Sequence, residues 1–450
     1  MNKMLTTSKC YFWIVFIILL VACGTVPSQP TVTLAPTSAP TSTSISPTST
    51  ASPTTTFIPA PSPVPLPRFS LDGYLIAFVK NGDLYFQVGN DLPLKLTNVG
   101  EKSFRPEISP DNKKILFARN QDGKYAYLFY TINTDGTDER IVIPNDWRVS
   151  LASGIKNSFL NLAFIPYTHQ LLLNIYMCAS QERGSPCSVR LFIVDTDTGN
   201  IKKLADLGLA FQQNSGHDFR TIQVSPDGKL IAVGTQNGID IFTLDGKIIR
   251  KNILPYKPVS YILFPALFWL PDSSGLTVAL PDRLFESIHS DNVPGYTTWR
   301  YSVDRNVAVP IHLEPPLMGT ELDISPDGKW SFYGGYSIAE PALYLGDLTT
   351  GSVQIFDGNN PQVNFSWGPD SRYFIYQNSL GIMGKSGELP TLINICAFES
   401  WINANHFTCT ISDDNYSMPR MAEIKEGIIK IYDLGFDKDI GRGFIFIKPK

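Results

Sequence analysis

The side chains of this chain with potential chemistry are its aspartates, histidines and cysteines, and most of their spacings read as turns. Aspartate recurs in one short phrase, found as Ser70-Leu71-Asp72-Gly73, Ser109-Pro110-Asp111-Asn112, Ser225-Pro226-Asp227-Gly228, Leu270-Pro271-Asp272-Ser273, Ser325-Pro326-Asp327-Gly328 and Gly368-Pro369-Asp370-Ser371. Proline presets φ for an early turn position, aspartate accepts from nearby backbone N–H groups, and glycine takes φ above zero. These aspartates are therefore expected to hold turns, and none is assigned to catalysis. The five histidines, His169, His217, His289, His312 and His406, show neither an i, i+4 pair nor an H-E-x-x-H arrangement. No metal centre and no cofactor is expected from that spacing, short of a fold that gathers separate segments around one axis.

Other motifs fail on detail. Gly381-Ile382-Met383-Gly384-Lys385-Ser386 imitates a phosphate loop, but Ser379 stands where the first glycine belongs, and the segment aligns with the hairpin Phe242-Thr243-Leu244-Asp245-Gly246-Lys247. Asp195-Thr196-Asp197-Thr198-Gly199 has the opening of a calcium loop without its later ligands or distal glutamate, so a plain hairpin is expected. No G-x-S-x-G nucleophile elbow occurs. The sialidase-type S-x-D-x-G box is also missing, since Gly328 comes one place too early after Ser325 and Asp327.

The cysteines divide by position. Lys3 and Lys9 precede an apolar run from Tyr11 to Val21, too short for the ~20 residues of a bilayer span, and Leu20-Val21-Ala22-Cys23 follows. That tetrad resembles the lipobox of bacterial lipoproteins. It implies a signal peptide over 1–22, lipid on Cys23 and a lipid-anchored protein on the extracytoplasmic side of a bacterial envelope. Residues 24–67 carry no charge and are rich in Thr, Ser and Pro, so 23–67 reads as an extended stalk. Cys178, Cys187, Cys396 and Cys409 remain for disulfides in such a compartment. Cys178 and Cys187 flank a loop between two expected strands and suit a bridge. Cys396 and Cys409 suit one less, because a tight turn near Ala404-Asn405 does not set them opposite each other.

Each turn phrase precedes an apolar run with strand character, and the phrase returns every 40 to 60 residues or so, the period of a β-propeller blade. One unit is complete from residue 221 to 252, with four strands and two tight turns. Aligned on it, the chain gives eight units starting near 69, 104, 159, 219, 262, 320, 362 and 396. The third and eighth are degenerate, with Pro166-Tyr167-Thr168-His169 and Asn403-Ala404-Asn405 in place of P-D. The first unit lacks an innermost strand, and the alternating run Phe444 to Lys448 can supply it and close the ring. The expected fold is all-β: one propeller over 68–450 with eight four-stranded blades, or seven if a degenerate unit is absorbed elsewhere. The phrase Val224-Ser225-Pro226-Asp227-Gly228-Lys229-Leu230-Ile231-Ala232, with Ile324-Ser325-Pro326-Asp327-Gly328-Lys329-Trp330, resembles the TolB-type propeller repeat. The resemblance implies the fold; the repeat occurs in protein-binding propellers and in the lids of prolyl-oligopeptidase-like enzymes alike.

Strand alternation puts the first-to-second and third-to-fourth turns on one face of the disc, and the second-to-third and inter-blade connections on the other. The long segments, 144–158, 179–186, 206–218, 281–298 and 312–320, all belong to the second set, where variable loops on a rigid scaffold carry binding residues. Trp147, Arg148, Arg183, His217, His289, Tyr296 and Trp299 lie within or beside them as candidate contacts. A formal net charge of -4 gives no basic field for nucleic acid. The expected function is non-catalytic binding of a protein or polysaccharide by a membrane-anchored monomer. The alternative is a propeller hydrolase or lyase acting on carbohydrate.

Overall fold

The recurring phrase folds as its chemistry dictates. At Ser225, the buried hydroxyl accepts from the backbone N–H groups of Lys229 (3.2 Å) and Leu230 (2.9 Å) and donates to Asp227 Oδ1 (2.6 Å). Asp227 Oδ1 also accepts from Lys229 N–H, and Gly228, at φ +70°, closes the turn by donating to the Ser225 carbonyl (2.8 Å). Ser109 with Asp111, and Ser325 with Asp327, repeat the pattern. The serine hydroxyl and the aspartate carboxylate thus answer the backbone N–H groups that the tight turn leaves over, which lets the serine be buried.

A computed structural model describes residues 66–449, apart from 99–102, 121–126, 145–146, 148–156, 179–185, 212–220, 236–237, 257–264, 287–291, 314–316, 319–321, 337–340, 358–364, 378, 385–388, 413–416 and 437–444. Its strands form eight antiparallel sheets, each a blade in which sequential strands pair side by side. Blades 2 to 8 begin with the inner strands Ser103–Ile108, Asn157–Phe164, Ile222–Val224, Ala266–Trp269, Leu322–Ile324, Phe365–Trp367 and Ala397–Asn403. Blade 1 takes its inner strand from the far end of the chain. Ile445–Pro449 pairs antiparallel with Tyr74–Lys80, setting Leu75 opposite Lys448 and Ala77 opposite Phe446. Both degenerate units are complete blades, which rules out the seven-bladed alternative. Blade 5 exceeds the four-strand plan, because the short strand Leu317–Met318 also pairs with Asn292–Ser302.

Burial follows the ring. Apolar side chains cluster between neighbouring blades at all eight junctions. Between blades 6 and 7, Phe332 stacks on Phe365 (centroids 3.9 Å apart) and packs against Trp367 and Phe374. At the closing junction, Phe78 of blade 1 shares a core with Met421 and Leu434 of blade 8 and with Ile447 of the closing strand. Each aromatic at such a junction removes area from water for two blades at once, so adjacent blades stabilise each other through the same side chains.

Two sequence expectations are corrected here. The segment 281–298 is not a loop: strands Gly275–Glu286 and Asn292–Ser302 form a long hairpin, and a register shift between Pro281 and Arg283 accommodates the proline. The segment 206–218 likewise begins inside strand Ile201–Phe211. The poorer expectation for Cys396 and Cys409 is overturned as well. Cys396 and Cys409 are bonded, with Cα atoms 5.6 Å apart. The strand register sets Phe398 opposite Cys409, and bulges on either side of Ser400 shorten the inner strand's reach, so Cys396 arrives just before that strand at bonding distance. Cys178 and Cys187 are direct partners in the register of blade 3, a suitable position for a bridge, but their side chains lie outside the description.

Candidate binding face

The candidate residues separate once placed on the blades. Trp147 is half-buried and meets Phe192 edge-on, with ring centroids 5.0 Å apart, within the core between blades 2 and 3. Tyr296 is only 9% exposed and packs with Leu313, Ile324 and Tyr333 between blades 5 and 6. Trp299 joins the core between blades 4 and 5 and donates its indole N–H to Thr297 Oγ1 (3.1 Å). All three aromatics pack at blade junctions, whereas the sequence set them within or beside long connections. Two of them lie on a strand because the hairpin of blade 5 runs further than its proline suggested. Arg148, Arg183, His217 and His289 lie outside the described residues, as does most of the second-to-third and inter-blade face.

The opposite face is described almost throughout, and its turn tips are joined from blade to blade. Lys448 donates to the carbonyls of Ser109 and Pro110 (3.0 and 3.3 Å), linking blades 1 and 2. His169 spans from blade 3 to Asp111 of blade 2 and also contacts Asp197 through Nδ1 (2.7 Å). Between blades 3 and 4, an added Cβ on Gly228 would sit 2.3 Å from the Pro166 carbonyl oxygen, so only glycine fits there. Asp227 N–H donates to Ser273 Oγ (3.0 Å), Arg300 to the Gly328 carbonyl (2.6 Å), and Asp327 N–H to Ser371 Oγ (2.9 Å), carrying the chain of contacts to blade 7. Arg372 to Asn405 (3.3 Å) and Tyr74 with His406 (3.3 Å) complete the circle.

The recurring aspartates are occupied in these turns, as their setting predicts. The calcium-like segment is a hairpin cap in which Asp195 Oδ1 accepts from the N–H groups of Asp197 and Thr198. The phosphate-loop mimic is a packing site, since a Cβ on Gly381 would lie 2.0 Å from the Phe374 ring. Among the described residues no group of three His, Cys, Asp or Glu is placed to hold a metal.

Three groups were not singled out from sequence. Glu107 lies on the inner strand of blade 2, and burial pushes its carboxyl up to about 7 against the opposing pull of Lys448. The Asp111 hydrogen bond, then that of Asp197, holds the His169 imidazole above its ordinary value. Tyr167 is 81% exposed at φ +60°, in the turn where six other blades carry aspartate. The departure of Pro166-Tyr167-Thr168-His169 from P-D was the available signal for the last two; Glu107 had none, because burial at a blade junction leaves no local mark.

No family model matches this chain, and no curated protein matches it. Solved structures do. TolB from Acinetobacter baumannii is similar at 12% identity and a TM-score of 0.31, covering 65% of this chain and 66% of its own. An oligogalacturonate lyase in complex with manganese gives 13% and 0.35, covering 73% and 87%. Dipeptidyl peptidase 4 of Porphyromonas gingivalis gives 11% and 0.43, covering 73% and 52%. The eight-bladed propeller itself rests on this chain's own strand pairing. At such identities the likeness is one of fold, and the activities and the metal named for those proteins stay with them.

Proposed function

We propose that this protein is a non-catalytic binding platform, anchored through lipid on Cys23, held off an extracytoplasmic membrane surface by residues 23–67, and acting as a monomer. The propeller takes a protein or polysaccharide partner on the face of its second-to-third and inter-blade connections. One contrast carries this reading: the described turn face commits its aspartates and histidines to caps and inter-blade joints, whereas strand alternation assigns the long connections of the sequence to the other face. Mass spectrometry of the mature N-terminus tests the anchor, and an unmodified Cys23 ends that part of the proposal. Capture by the full chain in detergent, from envelope protein extracts and on a glycan array, tests the platform. Replacing Arg148, Arg183, His217 and His289 together by alanine abolishes capture if the face is right, while replacing Lys247 on the described turn face leaves it intact.

One observation favours the enzymatic alternative. Glu107, held near 7 with Lys448 within electrostatic reach, has the proton affinity of a general acid or base. Polysaccharide breakdown that follows a titration near 7 and vanishes in Glu107→Gln replaces the binding reading with a hydrolase or lyase.

A further inference from the structure

A cleft of about 410 Å³ opens at the seam between blades 8 and 1, within the size range of small-molecule sites. Its inner wall is aromatic. Phe78 and Tyr85 stack in parallel, with centroids 5.3 Å apart, and Phe436 tilts onto Phe78 at the same distance. The rim is charged, and what matters is which of its charges are already satisfied.

Arg68 lies on the blade 8 side. Residues 67–69 are stapled alongside the end of strand Ile428–Asp433: Phe69 N–H donates to the Asp433 carbonyl (2.8 Å), and Asp433 N–H to that of Pro67 (2.9 Å). The Arg68 guanidinium rests on Gly435, where an added Cβ would lie 2.7 to 2.8 Å from its Nη2, Cζ and Nε atoms. Gly435 is also at φ +71°, a backbone conformation that favours glycine. The nearby Asp433 carboxylate is taken by Arg420 (3.1 Å) and by Gly435 N–H (2.9 Å). Arg68 consequently makes no side-chain hydrogen bond or ion pair among the described residues. Across the cleft, Asp91 sits on the turn after strand Asp83–Val88, and its carboxylate is likewise without a partner among them. The two opposite charges line one cleft and do not neutralise each other.

A positioned guanidinium suits a carboxylate, a free carboxylate suits an ammonium group, and the aromatic wall between them suits an apolar side chain. We propose that this seam cleft binds a zwitterionic ligand of dipeptide size: its carboxylate on Arg68, its ammonium on Asp91, and its apolar side chain against Tyr85 and Phe436. A neutral sugar leaves both charges unanswered, and a simple anion leaves Asp91 facing it.

The test is calorimetric titration of the full-length protein in detergent with glycyl-L-phenylalanine, its C-terminal amide and its N-acetyl derivative. The free dipeptide binds, and each blocked form binds weaker by about tenfold or more. Arg68→Gln brings the dipeptide down to the affinity of the amide, and Asp91→Asn brings it down to that of the acetylated form. Both residues are exposed and on separate segments, so a folding defect in one variant leaves the other to decide. Absence of dipeptide binding, equal affinity for all three compounds, or unchanged affinity in both variants overturns the site.

Discussion

His169 occupies the turn position where other blades carry Lys113, Lys229, Lys329 and Arg372, each of which pairs with the aspartate of its own turn. Its own turn has Tyr167 instead, so the imidazole reaches to Asp111 of blade 2 and to Asp197. Both ring nitrogens face carboxylates, whereas a neutral imidazole has only one N–H to donate, so the folded protein favours imidazolium. With its folded pKa raised above the ordinary 6.5, His169 contributes stability that is fully present below that value and lost as pH rises through the folded pKa. His169→Gln should therefore melt below the parent at pH 6, with the gap closing at alkaline pH; a gap independent of pH would sink the clamp. Glu107 moves the comparison the other way. Its carboxyl is raised from 4.5 to about 7, so the favourable contribution of its protonated form is lost as pH rises through that range. Glu107→Gln, which stays neutral, should match the parent in acid and exceed it above neutrality by on the order of 1–3 kcal/mol. Equal melting of the two proteins at pH 8 would show that burial does not raise the proton affinity of this carboxyl.

At the scale of the element, the turn phrase was legible because its chemistry is local. Buried Ser225 answers two backbone N–H groups from within five residues, and Ser225→Ala should cost about 1–3 kcal/mol in denaturant unfolding by leaving them unpaired. A cost within error would mean that water replaces the hydroxyl. Strand ends were harder to read, because what continues a strand is a partner on another segment. The sequence places a long connection over 281–298, yet a bulge beside Pro281 lets the hairpin run on, and Tyr296 is thereby carried from an expected loop into the core. Tyr296→Ala should now cost about 3–5 kcal/mol of stability rather than partner affinity, the figure for emptying a large aromatic site. A fully stable variant would return Tyr296 to the list of binding residues. The same limit explains the cysteines: the bulges that bring Cys396 to Cys409 depend on how the inner strand of blade 8 meets its neighbour, which no spacing rule contains.

For the whole molecule, the eight-fold count followed from repetition, and closure followed from two local oddities, a first unit without an inner strand and an alternating run left over at the end. The binding site was legible only as a face, since a repeat fixes where long connections gather and says nothing about what each one touches. Closure makes a mechanical claim that can be tested. The strand Ile445–Pro449 fills the inner edge of blade 1, Ile447 enters the core shared with blade 8, and Lys448 ties blade 1 to the carbonyls of Ser109 and Pro110 in blade 2. Removing residues 445–450 therefore opens one sheet edge, depletes one junction and cuts one joint, turning a ring in which every blade has two neighbours into an open row with two free ends. The truncated protein should melt at a lower temperature across all blades together, and the exposed edge of Tyr74–Lys80 should promote association. Ile447→Asp, which keeps the strand but burdens the shared core with a charge, should lower the melting temperature in the same direction. If truncation leaves the melting temperature unchanged, or unfolds blade 1 alone as a separate transition, the closing strand does not hold the ring.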